Sequence, residues 1–365
     1  MRILVIGYLH KKHDKRVFRI INALSKNNEV IYQYRSEEAE KPYIGDNIKF
    51  LPVYYIRDKS TPPIKELLKR RGFDFEIMNI IKSTDFDILY LHHFPATKPL
   101  EPFKIAKRLG KKIIYDIHEY HPYNFLNSLS GIKKKLKEKI MLRIFKKQLE
   151  YSNKLIFVSL EVKEEVFQTL NIERDTLIVP NYAVKGIEST HKNDREIVLV
   201  GGTKRYLSNE KLILKKLIEL GWKFKIVGMD SSFLKDVKHI YTGFLPYDEM
   251  LIEVSKASFS LISYNTTEDM NYKNDLFALP HKYYDSLAAE TPVIVNKRFV
   301  SMAKEVEKLG IGVVIDTEKP DEAVKSILKA YDDYETLIEN IRKYKKNFIW
   351  DEEKEKEFVD FVCDS

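Results

Sequence analysis

Asp116, His118, Glu119 and His121 crowd the short run "YDIHEYHP". Imidazoles and carboxylates at this density can contact a substrate or hold a metal. Their spacing matches no zinc motif, so substrate contact is the reading favoured over a metal site. A surface loop with no task is the alternative. The run ends an apolar segment, and period-two alternation puts Asp116 and His118 on one side if the strand persists that far.

A second group lies in "ALPHKYYDSLAAETPVIV" (278–295). Pro280 suits the first helical position, and Leu279 before it has no side-chain acceptor for a cap. The first-turn amides are then left for another acceptor, which the helix dipole prefers to be negative. Lys282 adds a full positive charge. Asp285 follows His281 and Lys282 by four and three positions, so the three share a helix face. An anion at the amides and a hydroxyl-bearing group beside Asp285 describe a nucleoside diphosphate; the bland reading is a surface helix with a chance carboxylate.

Two further loops follow apolar runs. In "GYLHKKHDKRVF", Gly7 allows close backbone approach, Asp14 suits a helix N-cap, and His13 and Asp14 are expected to point into a ligand cleft. In "VLVGGTKRYLSNEKL", Gly201 and Gly202 can bare amides to an anion, with Lys204 and Arg205 supplying charge. Neither a GxGxxG fingerprint nor a Walker loop is present, which counts against NAD and P-loop chemistry.

The elements that position these loops are legible as alternation. Apolar runs at 2–7, 29–34, 48–55, 87–93, 112–119, 154–159 and 176–181 read as strands, separated by helical patterns. A second series follows at 196–202, 224–228, 239–244, 259–264, 291–295 and 312–316, beyond a polar stretch at 184–195 that reads as a linker. Near-continuous apolar strands alternating with helices imply two doubly wound α/β domains facing across a cleft, with ligands outside the strands' carboxyl ends. One large α/β domain is the competing architecture.

Bulk properties narrow the class. The 365 residues favour two domains, and 44% hydrophobic content with mean hydropathy −0.35 supports folded cores. The net charge of +8 favours anionic partners. Cys363 is the only cysteine, which excludes an intrachain disulfide. No apolar run is long enough for a membrane span, and the N-terminus lacks a signal-peptide core, so a cytoplasmic protein is expected.

Taken in order, "HDKRVF", "YDIHE", "VPN", "GFLPYDEM" and "LPHKYYDSLAAETPVIV" resemble the retaining GT-B glycosyltransferases, family 4, over nearly the whole chain. The resemblance implies two Rossmann-like domains, 1–184 on the acceptor side and 196–345 for a nucleotide-sugar donor. It also implies a C-terminal helix in 346–365 returning to the first domain. It implies transfer of a sugar, hexosyltransferase-like, from a nucleotide-diphosphate sugar to a glycan or lipid-linked acceptor with retention, and neither metal nor cofactor. His118, with Glu119, matches the catalytic strand-end position. Asp285 matches the ribose-holding carboxylate, where glutamate is usual. Gly7, Gly201, Gly202, Leu279, His281 and Lys282 match the donor-binding loops. The first glutamate of the family's E-x7-E pair falls on Phe277, so Asn274 or Asp275 is expected in its stead. Gly202 occupies the usual arginine position, with Lys204 and Arg205 as stand-ins. His13, Asp14 and Asp116 are expected in the cleft or at the acceptor.

The basic run 131–151, "GIKKKLKEKIMLRIFKKQLEY", carries Ile132, Leu136, Ile140, Ile144 and Leu149 along one helical face. It suits contact with an anionic inner membrane face, or a core-packed helix with a solvated basic side. Within the fold, a nucleotide-sugar 2-epimerase is the rival activity, and a non-catalytic nucleotide-sugar binder is a rival of another class. Nucleic acid is not an expected partner, because aromatic residues show no register with the basic ones.

Overall fold

Strand β1 (Arg2–Ile6) shows why the sheets form: Ile3, Leu4, Val5 and Ile6 are all fully buried, as a strand covered on both faces requires. The computed structural model describes residues 1–57, 60–120, 131–189, 195–202, 207–208, 210–229, 231–264 and 272–364, with Phe233 described through its backbone only. Among them the chain divides into two compact units, Met1–Val179 with Glu353–Ser365, and Pro180–Glu352. Each is a doubly wound, Rossmann-like α/β unit.

The first unit holds β1, β2 (Glu29–Ser36), β3 (Tyr43–Gly45), β4 (Ile48–Tyr54), β5 (Ile88–His92), β6 (Lys112–Ile117), β7 (Lys154–Phe157) and β8 (Asp175–Ile178). Their spatial order is β3-β4-β2-β1-β5-β6-β7-β8, all parallel except the β3–β4 pair. Strand order reverses between β1 and β5, so the loops after these strands mark the switch point where ligands collect. Helix α1 (Lys15–Ser25) starts at the expected cap: Asp14 Oδ1 accepts from the amides of Arg16 and Val17, each at 3.2 Å. The antiparallel edge strand β3 was not expected from sequence.

In the second unit the order is β11 (Ile240–Gly243), β10 (Lys223–Gly228), β9 (Glu196–Gly201), β12 (Phe259–Ile262), β13 (Val293–Asn296) and β14 (Gly312–Ile315), all parallel. Here the reversal falls between β9 and β12. Trp222, Phe259 and Tyr334 anchor the core on one side of this sheet, and Tyr283, Leu287 and Phe348 belong to another cluster.

Three readings need revision. The division lies at Val179/Pro180, ahead of the polar stretch 184–195, because residues after Pro180 already join the second unit. Ala183 accepts from Trp350 N at 2.9 Å, and Ile187 N donates to Ala288 O at 2.9 Å. Residues 190–194 of that stretch lie outside the described residues. Helix α9 (His281–Ala288) begins one residue later than expected, with Pro280 extended at the cap rather than inside the first turn. Helix α4 (Gly131–Tyr151) packs only its second half: Phe145, Gln148 and Leu149 are buried, while Ile132, Leu136 and Ile140 are 85%, 60% and 48% exposed. The last helix, α13 (Glu352–Cys363), packs on the first unit through Phe358 and Val362, and Lys154 Nζ donates to Phe361 O at 2.9 Å.

Candidate functional site

At the first unit's switch point, three strand ends bring together a buried network. Asp116, on β6, is fully buried: Oδ1 accepts from Arg16 of α1 at 2.7 Å and Oδ2 from the Tyr90 hydroxyl at 2.9 Å. Arg16 also donates to Val179 O at 2.6 Å. His118, just past β6, places Nε2 2.9 Å from His92 Nδ1 on β5 and 3.5 Å from Asp116. Burial opposes ionisation of Asp116, but the Arg16 charge and hydrogen bonds from His118 and His92 hold its carboxyl well below the usual range. Burial pushes His118 down to about 3 against the pull of Asp116, and lowers His92 as well. Both imidazoles are therefore neutral near pH 7, and one donates to the other.

His92, Asp116 and His118 offer three ligand atoms close enough for one ion to touch. The donor set argues for a hydrogen-bond network instead. Each Asp116 oxygen already holds a donor, one of them a guanidinium, and a cation there would face the Arg16 charge. His92 Nε2 is buried with no hydrogen-bond partner among the described residues, whereas a ligating imidazole ordinarily anchors its second nitrogen.

Beside this network lies the loop after β1. Asp14 Oδ2 meets His10 Nδ1 at 3.0 Å, and the His10 ring lies 4.9 Å from that of His118. His13 packs against Phe18 with ring centroids 4.9 Å apart. Gly7 has a packing reason of its own: a Cβ there would stand 2.8 Å from the Tyr32 ring and 2.9 Å from Gln33 O. Tyr8, next in the chain, takes the left-handed conformation (φ 57°), and Gln33 Oε1 accepts its amide at 2.9 Å. Glu119 is exposed, and His121 lies outside the described residues.

The second unit presents its own group at the β9/β12 reversal. Gly201 ends β9; a Cβ on Gly228 (φ 95°) would lie 2.6 Å from Gly201 O, so the two strand ends approach as only glycine permits. Around Gly202 a Cβ would meet nothing within 4 Å. Lys204 and Arg205 lie outside the described residues. Lys282, in the first turn of α9, donates to Ser263 O just beyond β12. Asp285 is buried, and its Oδ1 accepts from the hydroxyl of Tyr247, the first residue of α7 (Tyr247–Ser255), at 2.8 Å. Leu279 O accepts from Asn181 Nδ2 at 2.8 Å. On the short helix α8 (Lys273–Leu276), Asp275 is fully buried and Asn274 donates to the Tyr272 hydroxyl at 3.1 Å.

Sequence reading missed Glu210, which precedes α6 (Lys211–Glu219). Burial pushes its carboxyl up to about 6, offset in part by a hydrogen bond from Ser263 and the charges of Arg298 and Lys282. Arg16, His10 and His92 were missed as well. His92 had a signal, since it ends an apolar strand as His118 does.

Comparison with known proteins fits both halves. Residues 15–182 match the family model described as Glycosyltransferase Family 4, and residues 206–349 match Glucosyltransferase 3-like, C-terminal domain. A search of curated proteins gives no match. Solved structures share the fold at low identity. Sucrose-phosphate synthase from Thermosynechococcus elongatus is 14% identical, covering 98% of this chain and 97% of that one, with TM-score 0.65. WaaG, a glycosyltransferase involved in lipopolysaccharide biosynthesis, is 11% identical, with 100% of both chains covered and TM-score 0.66. An E. coli trehalose-6-phosphate structure bound with UDP-2-fluoro glucose is 10% identical, with 100% of both chains covered and TM-score 0.65. The two Rossmann-like sheets are those of the GT-B fold. With a glycosyltransferase family 4 domain in its first half and a glucosyltransferase-type domain in its second, the chain is a glycosyltransferase.

Proposed function

We propose that the chain transfers a sugar, with retention, from a nucleotide-diphosphate sugar to a glycan or lipid-linked acceptor. The observation that carries this reading is the start of α9. Lys282 sits on Ser263 O at the strand end, and one turn on the buried Asp285 is steadied by Tyr247. Breaking a sugar–phosphate bond builds negative charge on the departing diphosphate. Fixed amides and a cation aimed at that charge lower the barrier, and removing one such donor typically costs about 3 kcal/mol. In this reading the first-turn amides of α9 with Lys282 hold the diphosphate, Gly201 and Gly202 admit it close to backbone, and Asp285 holds the ribose.

His118 is assigned to the transferred sugar. As a neutral imidazole it offers a hydrogen bond without competing for the diphosphate's countercharge. Asp116 is the residue that positions it, since its own oxygens are occupied. Asn274 and Asp275 are the candidates for the sugar hydroxyls in place of the usual glutamate, Phe277 standing at that position.

The test is a thermal-shift screen of nucleotide sugars. A ligand at 100 times its Kd adds about 2.7 kcal/mol of stability. Stabilisation by a nucleotide sugar with turnover only when acceptor is added supports transfer; sugar epimerisation without acceptor would replace it with the 2-epimerase reading. Binding without any turnover would leave a nucleotide-sugar binder.

The exposed apolar positions of α4 favour an anionic membrane surface as a second partner. Ile132, Leu136 and Ile140 repeat every four residues among Lys133, Lys135, Lys137 and Lys139. Binding to anionic vesicles that salt abolishes is the expected result, and none at low salt would remove this partner. No helix among the described residues is long and apolar enough to cross a membrane.

A further inference from the structure

Glu210 is an acid where the donor reading asks for cations. It lies between β9 and α6 in the second unit and is 2% exposed. Its carboxylate accepts from the side chain of Ser263, a fully buried residue just past β12, and the charges of Arg298 and Lys282 act on it. The carbonyl of the same Ser263 accepts from Lys282 Nζ. One residue thus joins the buried acid to the ammonium in the first turn of α9.

The two cations come from different strand ends. Lys282 belongs to the helix that follows β12, whereas Arg298 lies just past β13. The Arg298 amide is held by Asn296 Oδ1 at 3.1 Å, and its guanidinium lies 5.6 Å from the centre of the Phe299 ring. Other cations of α6 are engaged elsewhere: Lys211 and Lys215 with Asp236, each at 3.0 Å, and Lys216 with Asp321 at 2.9 Å. His281 is the other titratable group at the start of α9. Burial pushes the Glu210 carboxyl up to about 6, against the pull of Ser263, Arg298 and Lys282. Near neutral pH it is therefore ionised and offsets part of their charge. A diphosphate drawn to those cations sets like charge beside the carboxylate, which raises its affinity for a proton further.

We propose that Glu210 is a positioning residue for the diphosphate grip, which fixes Lys282 through Ser263 and takes a proton from solvent as the diphosphate binds. The inference rests on the reading in which the first turn of α9 holds a nucleotide sugar's diphosphate. No covalent bond between heavy atoms changes. A proton from water joins one Glu210 carboxylate oxygen, and the charges of Lys282 and Arg298 are left to the ligand. The protonated acid still has an oxygen that accepts from Ser263, so the link to Lys282 survives the change. Donor binding and protonation are then coupled, each favouring the other. An acid with a merely structural role would leave donor binding free of proton uptake.

Isothermal titration of the full chain in buffers of different ionisation enthalpy counts the protons. The probes are UDP-glucose, UDP-galactose, UDP-N-acetylglucosamine and GDP-mannose, whose diphosphates keep a fixed charge over the range tested. Wild type should take up close to one proton per donor bound near pH 7, and Kd should rise roughly fivefold from about pH 6.5 to about pH 7.5. Glu210→Gln keeps an acceptor for Ser263 and removes the charge. It should take up no proton and bind about tenfold tighter than wild type at about pH 7.5. Glu210→Ala loses the charge and the Ser263 contact together, and should bind about tenfold weaker than Glu210→Gln, with melting temperature as the control for folding. Wild-type binding without proton uptake, uptake that persists in Glu210→Gln, or equal affinity in folded Glu210→Gln and Glu210→Ala overturns the proposal while leaving the donor reading intact. Failure of wild type to bind any of these donors overturns that reading and this proposal with it.

Discussion

The Tyr247 hydroxyl and Asp285 Oδ1 lie 2.8 Å apart, tying the first residue of α7 to the middle of α9. The phenol also accepts from the amide of Val184 at 3.3 Å, so it holds the carboxylate against a fixed backbone point. If Asp285 holds the ribose, Asp285→Ala should weaken nucleotide binding about a hundredfold. Tyr247→Phe, which removes one neutral donor worth about 1 kcal/mol, should weaken it about fivefold. Isothermal titration with UDP and GDP measures both, and an unchanged affinity in Asp285→Ala would remove the ribose from this position.

Arg16 and Asp116 form a buried ion pair at 2.7 Å, with the two side chains 3% and 0% exposed. Arg16→Met leaves a buried carboxylate without its cation, a change that typically costs about 3–5 kcal/mol. For a unit of this size the melting temperature should fall by about 10 °C. The double variant Arg16→Met/Asp116→Asn should recover part of the loss, since it removes the stranded charge.

The pH dependence of stability should have opposite signs at His118 and Glu210. His118 has a folded pKa lowered to about 3, so below its unfolded value near 6.5 the unfolded chain binds the extra proton. Acidification from pH 7 to 5 therefore destabilises the first unit, by about 2 kcal/mol from this residue. Glu210 has a folded pKa raised to about 6, so between its ordinary value and 6 the folded chain binds the extra proton. Its contribution is greatest in acid and is lost as pH rises through 6. Glu210→Gln should consequently stabilise the second unit at pH 7 by about 2 kcal/mol and have no such effect below about pH 4.5. Denaturant melts from pH 4 to 8, followed by hydrogen exchange in each unit, check both signs.

Two glycines near the same strand end should behave differently. Gly228→Ala places a Cβ at φ 95° and 2.6 Å from Gly201 O, combining backbone strain with a steric overlap. A loss of about 3 kcal/mol is expected. Gly202→Ala meets open space, so its melting temperature should stay within a degree or two. Should the backbone there meet a diphosphate, nucleotide affinity falls in Gly202→Ala without any stability change.

Much of this arrangement is written locally in the chain. All thirteen expected strands form, because each is a short run rich in apolar and β-branched residues with its own turn signals. Asp14 as a cap, Asp116 and His118 as neighbours, and Lys282 with Asp285 on one helical turn all follow from short periodicities. What stayed hidden depends on distant pairing. Arg16 meets Asp116 a hundred residues away, and His92 meets His118 only because β5 and β6 are adjacent. Glu210 looks like one more solvated charge in "NEKL", since nothing nearby announces that tertiary packing buries it. The edge strand β3 is three residues long and pairs in the opposite direction, too short for alternation to register. In α4 the apolar spacing is real, but only its second half has a core to meet.

Helix α13 gives the molecule an order of completion during synthesis. The chain leaves the first unit at Val179 and returns to it only at Glu353, so the second unit is contiguous and the first is not. A ribosome that has finished the second unit still holds the segment that fills the space beside Tyr90, whose ring lies 6.2 Å from that of Phe358. The earliest-made half is thus the last to be sealed, and a nascent chain stopped after Glu352 would carry one finished lobe and one left open.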